Sequence, residues 1–290
     1  MSEPPFFTII TSTYNAASTL PRLLDSLASQ TCRDFNWIVQ DGASSDATMQ
    51  IVEQYRDRLP EILAESSKDN GIYDAWNKAI NRWNNNLGKW VLFLGADDKL
   101  CSDDTLEKSK QILSVLSNEV LFAAGNIYIV NYGSKIEKLP ITVNISNSFK
   151  KRYLGTPLPH SGLFQNRSLF SQSPFDSTFK IAGDYDFILK HWKFKFQTRP
   201  LNMYITDMSS GGISGNSQYT LLALDEFLKI IKKYSIKYYL IYKIYVTYHK
   251  LKSKTKHTLL KTKYGYILWN IAKKIKLYLQ NIIIHILDKI

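Results

Sequence analysis

The sequence predicts an α/β fold, with a mostly parallel central sheet covered by helices on both faces and an α-helical basic extension after it. Three observations carry this. Through residues 5–100, short apolar runs alternate with amphipathic segments of about ten residues, the pattern of parallel strands joined by crossover helices. Each of the first four runs leads into a polar segment, and three of those segments hold aspartate. The charge is also uneven. Thr220–Ile290 holds 15 Lys, no Arg and 3 acids, so the net charge of +12 lies in the last quarter of the 290 residues. Such asymmetry points to two jobs in one chain.

Phe6–Thr11 is apolar and reads as a buried first strand. Ser18–Ser29 reads as a helix, because Leu20, Leu23, Leu24 and Leu27 fall at helical spacing, with Ser18 or Thr19 as N-cap and Pro21 in the first turn. Phe35–Gln40 is a second strand and Ala47–Tyr55 a second helix. Glu61–Ser66 is a shorter third strand, Ile72–Trp83 a helix, and Trp90–Leu94 a very apolar fourth strand. Thr105–Leu116 is again helical, with Asp103 and Asp104 placed to cap it. Val120–Val130 and Lys135–Leu139 read as less regular strands, followed by Pro157-Leu-Pro-His160, an apolar run and Asn166–Phe170. Gly183–Lys193 predicts a helix with Asp184 and Asp186 in its first turn and Lys190 and Lys193 in its last, as the helix dipole favours. Gly211–Gly215 reads as a flexible loop.

Composition narrows the class. A hydrophobic fraction of 44% and a charged fraction of 21% fit a globular protein and argue against disorder. Cys32 and Cys101 are the two cysteines; they have no metal-ligand spacing and suit a reducing compartment. No signal peptide is read at the start, and no run reaches the roughly 18 apolar residues of a spanning helix. The expected location is therefore cytoplasmic, peripheral on the inner face of the plasma membrane. No Gly-rich dinucleotide fingerprint and no phosphate-binding loop of the ATPase kind is present.

In open parallel sheets, ligands bind beyond the carboxyl ends of the strands. There the sequence places Thr11–Asn15, Asp41–Asp46, Lys68–Gly71 and Gly95–Asp98. Two adjacent carboxylates, Asp97 and Asp98, repel one another unless a cation sits beside them. A divalent ion, Mn2+ or Mg2+, removes that cost, and magnesium commonly takes one or two carboxylates plus substrate phosphate oxygens. A turn pair ahead of the next helix is the plain alternative. Asp41, at the end of the second strand, is placed to hydrogen-bond a base or ribose.

These segments resemble family 2 glycosyltransferases of the glycosyltransferase A-type fold, in the branch that builds bacterial surface polysaccharides. The matching text is Ile9-Ile-Thr-Ser-Thr-Tyr-Asn15, Gln40-Asp-Gly-Ala-Ser-Ser-Asp-Ala-Thr48, Ser67-Lys-Asp-Asn-Gly-Ile-Tyr-Asp-Ala-Trp-Asn-Lys78, Phe93-Leu-Gly-Ala-Asp-Asp98 and Lys180-Ile-Ala-Gly-Asp-Tyr-Asp186, spread over residues 5–215. The resemblance implies a catalytic domain over 1–219, with a Rossmann-like nucleotide-sugar-binding half (1–100) and an acceptor half (101–219). It implies an inverting transfer from a nucleoside-diphosphate sugar, UDP-linked, to a glycan or lipid-linked saccharide. Thr11, Tyr14, Asn15, Asp41, Asp69 and Asp97 then bind the donor, Asp98 binds the metal and Asp184 is the base. Asp186 and His160 are placed as catalytic support, and Gly211–Ser214 as a lid over the donor. One departure is visible: where the family often has a further acid, this chain has Ala96.

The 220–290 extension has its own pattern. Ile271, Ile275, Tyr278, Ile282 and Ile286 fall on one helical face, with Lys273, Lys276 and Gln280 on another. That suits an anionic membrane surface, with packing on the catalytic domain as the alternative. No nucleic-acid module is visible, so no nucleic-acid partner is expected. Two other activities share parts of this pattern. A sugar-nucleotide-forming nucleotidyltransferase needs a Gly-rich basic loop, which Ser12-Thr-Tyr-Asn15 lacks. A non-catalytic membrane-bound adaptor has no need of acids at both Asp98 and Asp184.

Overall fold

The computed structural model describes residues 3–132, 136–153, 158–170, 174–211, 219–244 and 246–247. The chain divides into two units, Met1–Tyr219 and Thr220–Ile290.

In the first unit, β1 (Phe7–Thr13), β2 (Phe35–Asp41), β3 (Ile62–Ser66) and β4 (Trp90–Phe93) alternate with α1 (Leu20–Ala28), α2 (Thr48–Gln54) and α3 (Ile72–Arg82). A two-residue β5 (Lys99–Leu100) and α4 (Thr105–Leu113) follow. The second half contributes β6 (Phe122–Tyr132), β7 (Ile136–Ile141), α5 (Ile145–Lys150), β8 (Leu163–Asn166), α6 (Gly183–His191) and β9 (Thr198–Ser209). These strands form one sheet in the order β3-β2-β1-β4-β8-β6-β9-β5, with β7 paired to β6. β1, β2, β3 and β4 are mutually parallel, β6 and β9 are parallel, and β8 joins the two halves by antiparallel pairing to β4 and β6.

The core follows from the period of two along a strand. Phe7, Ile9, Phe35, Trp37, Val39, Trp90 and Leu92 pack with the α1 leucines, Val52 of α2 and Leu106 of α4 on one face. Ile10, Ile38, Val91 and Phe93 point the other way, onto Tyr73, Trp76 and Ile80 of α3 and Phe187 and Ile188 of α6. Strands buried on both faces read as continuous apolar runs, which is why β1, β2 and β4 stand out in the sequence.

Three strands are not evident there, the two-residue β5 among them. β8 lies within the apolar run after His160, and β9 was not anticipated at all. Along β9 the alternation is interrupted by Pro200 and by Asn202, whose φ is +53°. The β6–β9 register also shifts on either side of Asn126, a bulge that absorbs the extra residues.

The second unit opens with α7 (Thr220–Tyr234), in which Glu226, Ile230 and Ile231 are buried, and a further helical stretch begins at residue 236. The amphipathic face expected from Ile271 to Ile286 lies outside the described residues, as do residues 212–214 of the expected lid. Among the described residues, no helix is long and apolar enough to cross a membrane.

Candidate active site

The carboxyl edge of the parallel half gathers the first three polar segments. Asp41 ends β2 opposite Thr13, the last residue of β1. Its carboxylate accepts four hydrogen bonds, from Thr13 Oγ1 (2.8 Å), Ser44 N (2.8 Å), Ser44 Oγ (2.5 Å) and Ser66 Oγ (2.7 Å). Burial by itself raises this carboxyl, but the bonds from Ser44, Ser66 and Thr13 outweigh it and the net shift is downward. A carboxylate has about four lone-pair sites, so Asp41 is saturated. It also has no exposed surface.

Asn15 holds the neighbouring turn. Its φ of +48° is tolerated by asparagine, its Oδ1 accepts from Ser45 N (2.9 Å) and its own N–H donates to Ser44 Oγ (2.7 Å). Tyr14 projects outward at 70% exposure. Gly42 lies between Tyr14 and Asp69: a Cβ there would stand 2.7 Å from Asp69 Oδ2 and 3.4 Å from the Tyr14 ring. Only glycine permits that approach. Tyr14, Gly42 and Asp69 thus form an accessible cradle above a floor fixed by Asp41.

Beyond β4, Asp97 is half-buried and Asp98 is 4% exposed. The Asp98 oxygens accept from Gly95 N (2.9 Å) and from Ser209 N at the end of β9 (3.1 Å). Burial first, and then the Asp97 charge, push its carboxyl up to about 7. Arg22 of α1 donates to the Asp97 carbonyl and lies over the Tyr132 ring at 3.8 Å. No group of three His, Cys, Asp or Glu able to hold a metal occurs among the described residues. The two adjacent carboxylates are hard oxygen donors, and Asp98 is held in a position where its charge is costly. That fits a divalent cation whose remaining ligands come from phosphate and water.

A third set sits at the start of α6. Asp184 Oδ1 accepts from Tyr185 N (2.8 Å) and shares the single proton of the Tyr73 hydroxyl (3.2 Å) with the nearer Ile181 O (2.7 Å). Burial, then the Asp184 charge, drive the Tyr73 phenol well above its ordinary value, so it stays a donor. Gly183 permits the contact, since a Cβ there would meet three Tyr73 ring atoms at 2.8–2.9 Å. Two further ties bind this segment to α3 and its leading loop. Lys180 Nζ donates to Asn70 O (2.7 Å), and Asn77 exchanges two bonds with the Phe175 backbone (2.8 and 3.0 Å). His160 is sandwiched by Trp76 and Phe93, with centroids at 5.0 and 5.1 Å, and its Nε2 meets Gln165 Nε2 at 2.9 Å. Burial lowers its pKa while Asp184 raises it, with a net fall; the ring is neutral near pH 7.

Set beside the expectations, Tyr14, Asp69 and Asp97 have exposed surface at the carboxyl edge. Thr11 does not: it is fully buried, and its Oγ1 accepts from Trp37 Nε1 (3.0 Å) inside the core. Two residues before Thr13, it shares the strand face of Ile9 that packs with Trp37, which gives it a place in the core rather than the expected contact with the nucleoside. Asp41, without exposed surface and with four donors on its carboxylate, holds the turn at Gly42–Ser44 beneath Tyr14 and Asp69. Asp186 is buried in the first turn of α6. Arg22, Tyr73, Lys180 and the Ser209 amide were not singled out from the sequence. Tyr73 and Lys180 lie inside quoted motifs, whereas Arg22 and Ser209 carry no local signal.

The family profile described as Glycosyl transferase family 2 matches residues 8–179. A PGL/p-HBAD biosynthesis glycosyltransferase of Mycobacterium bovis is 31% identical over 196 residues, 64% of this chain and 69% of that protein. Poly(ribitol-phosphate) beta-N-acetylglucosaminyltransferase TarS of Staphylococcus aureus is 31% identical over 118 residues, 40% of this chain and 20% of that protein. Among solved structures, S. aureus TarS 1-349 in complex with UDP-GlcNAc superposes with a TM-score of 0.61 at 21% identity, over 89% of this chain and 76% of that one. The mannosyltransferase PcManGT from Pyrobaculum calidifontis, in complex with GDP-Man and Mn2+, gives 0.57 at 18% identity, over 79% and 64%. These likenesses carry the fold, the glycosyltransferase A-type arrangement, while the profile spans more than half of the sequence: the chain belongs to glycosyl transferase family 2.

Proposed function

We propose that the protein transfers a sugar, with inversion, from a UDP-linked donor to a glycan or lipid-linked saccharide in the building of a bacterial surface polysaccharide. The observation that carries this is the separate holding of two kinds of carboxylate. Asp97 and Asp98 are packed side by side at the tip of β4, while Asp184 is held alone at the start of α6 by Tyr73. The complexes of TarS with UDP-GlcNAc and of PcManGT with GDP-Man and Mn2+ support a nucleotide-sugar donor and a divalent ion.

In this reading Tyr14 and Asp69 receive the nucleoside, and Asp41 acts through them by fixing the turn at Gly42–Ser44. Asp98, with Asp97 nearer the ribose, holds Mn2+ or Mg2+, which when bound offsets negative charge on the departing diphosphate. Asp184 takes the proton of the acceptor hydroxyl as its oxygen bonds to the anomeric carbon and the bond from that carbon to the phosphate oxygen breaks. The bond from Tyr73 leaves Asp184 Oδ2 to receive that proton. His160, neutral and packed between aromatic rings, lines the wall beside Asp184 without serving as a cation. The acceptor is membrane-held in this proposal and the enzyme peripheral, which the lysine-rich 220–290 extension supports.

Asp184→Asn tests the assignment. Turnover should fall by about 10²–10⁴ while donor affinity by titration calorimetry stays within about twofold of wild type. Near-normal turnover in this variant would end the base assignment. A thermal-shift panel of nucleotide sugars, with and without Mn2+, identifies the donor, because a true ligand stabilises the folded state by mass action.

A further inference from the structure

The segment joining α6 to β9 reads Lys193-Phe-Lys-Phe-Gln-Thr-Arg199, and the donor cleft makes no use of it. Phe194 and Phe196 are 57% and 61% exposed. Their rings stack on one another, with centroids 5.4 Å apart and planes at 9°. Val115, at the end of α4, is 82% exposed. Beside them opens a mixed cavity of about 600 Å³, its lining shared between apolar groups such as Val115, Ile145 and Phe196 and polar ones such as Ser146, Lys195 and Arg199.

The charge around this patch has one dominant sign. Lys193, Lys195 and Arg199 are exposed, as are Lys150 and Lys151 of α5, which is tied to the segment by Lys195 Nζ to Ser146 Oγ (3.3 Å). No acid occurs in residues 142–152 or 190–199, and Glu119 is the acid of the adjoining 115–120 turn. Large exposed aromatics are costly in water unless they meet an apolar phase. Phenylalanine interleaved with lysine is the composition that sinks rings into a headgroup boundary while holding cations against anionic phosphates.

We propose that this patch is a membrane-docking face of the catalytic unit, taking the surface of an anionic bilayer, with Phe194 and Phe196 inserted. A single-stranded nucleic acid also stacks on aromatics beside lysines, and competition with an oligonucleotide in the test separates it from a bilayer. The placement suits a lipid-held acceptor. α6 runs from Gly183 to His191, so Asp184, seven residues before its end, stands about 10 Å along the axis from the helix end that leads into the patch. An acceptor sugar a few units from its lipid spans that distance.

The test uses the full chain and co-sedimentation with phosphatidylcholine vesicles, with or without phosphatidylglycerol. Wild type should bind the anionic vesicles preferentially, and binding should weaken with salt. The variants Phe194→Ser/Phe196→Ser and Lys193→Glu/Lys195→Glu should each reduce that binding by about tenfold or more, with folding and transfer to a soluble acceptor unchanged. Hydrogen exchange of the vesicle-bound full chain should show new protection across residues 191–199. The proposal is overturned by equal binding to neutral vesicles, by wild-type binding in both variants, or by no protection at 191–199. Displacement by a single-stranded oligonucleotide, or a dimer that either variant dissociates, assigns the face to another partner and overturns it equally.

Discussion

Replacing Asp41 with asparagine separates two roles that the sequence leaves together, direct contact with the nucleoside and support of the loop beneath it. Of the four donors on Asp41, three are hydroxyls, on Thr13, Ser44 and Ser66, which can rotate to donate elsewhere or accept. The fourth, Ser44 N, can only donate. An asparagine oxygen directed at Ser44 N keeps that bond, and the Nδ2 group then faces hydroxyls that can turn to accept. The loss is mainly that of charge assistance, about 2 kcal/mol. Asp41→Ala leaves the buried amide without its acceptor and opens a cavity, raising the cost to about 4 kcal/mol. Thermal midpoints should fall by about 4–8 °C for the asparagine and by roughly twice that for the alanine.

The pH dependence has a definite sign. The folded carboxyl of Asp41 titrates below its ordinary value, so its contribution is complete above the unfolded pKa of about 4 and disappears as pH falls through the folded value. The stability gap between wild type and Asp41→Asn, from urea denaturation, should be constant above about pH 5 and should narrow below about pH 4. Donor affinity, measured well below the melting temperature, should change by less than about fivefold. A variant of unchanged stability that loses donor binding by orders of magnitude would refute the support role and restore Asp41 as a direct contact.

Other substitutions probe the remaining structure. Gly183→Ala forces a Cβ into the buried Tyr73 ring at 2.8 Å; it should cost about 1–3 kcal/mol and lower turnover more than donor affinity, and a fully active, equally stable variant would show that the Tyr73–Asp184 contact is dispensable. The Cys101 thiol lies 3.5 Å from Asp207, and burial followed by that charge pushes it up to about 12. Alkylation of Cys101 at pH 8, followed by mass spectrometry of native protein, should be about 10³-fold slower than for an ordinary thiol; rapid labelling contradicts the placement. Lys138 is 2.7 Å from the buried Asp207, and Lys99 is 3.6 Å away. Lys138→Met should destabilise by about 1–2 kcal/mol in urea titration, less than for a fully buried pair because Lys138 is itself partly exposed.

Much of the fold is legible because its first half obeys local rules. β1, β2 and β4 are buried on both faces and the apolar residues of α1 and α3 repeat at helical spacing, so strand, helix and the ligand edge can all be read from short windows. β9 fails this reading because its partners are remote and its alternation is broken at Pro200 and Asn202, where pairing across a bulge decides the conformation. The candidate site divides in the same way. Asp97, Asp98 and Asp184 stand out by their position after strands or in first turns. Which oxygens are saturated and which are open depends on contacts across more than 20 residues, such as Ser66 to Asp41 or Ser209 to Asp98. Thr11 and Asp41 illustrate the limit, since sequence places them at the right edge while side-chain direction and neighbouring hydroxyls decide whether a ligand can touch them.

The ties from α3 have a consequence for how specificity can vary. The loop bearing Asp69 and the segment bearing Asp184 are clamped to a common rod, through Lys180 on Asn70, Tyr73 on Asp184 and Asn77 on Phe175. In the proposed reading, donor seat and proton acceptor therefore keep a constant spacing whatever the composition of the exposed strand β7 (Ile136–Ile141). Substitutions along that strand could alter what the surface meets without changing the distance over which a sugar would travel.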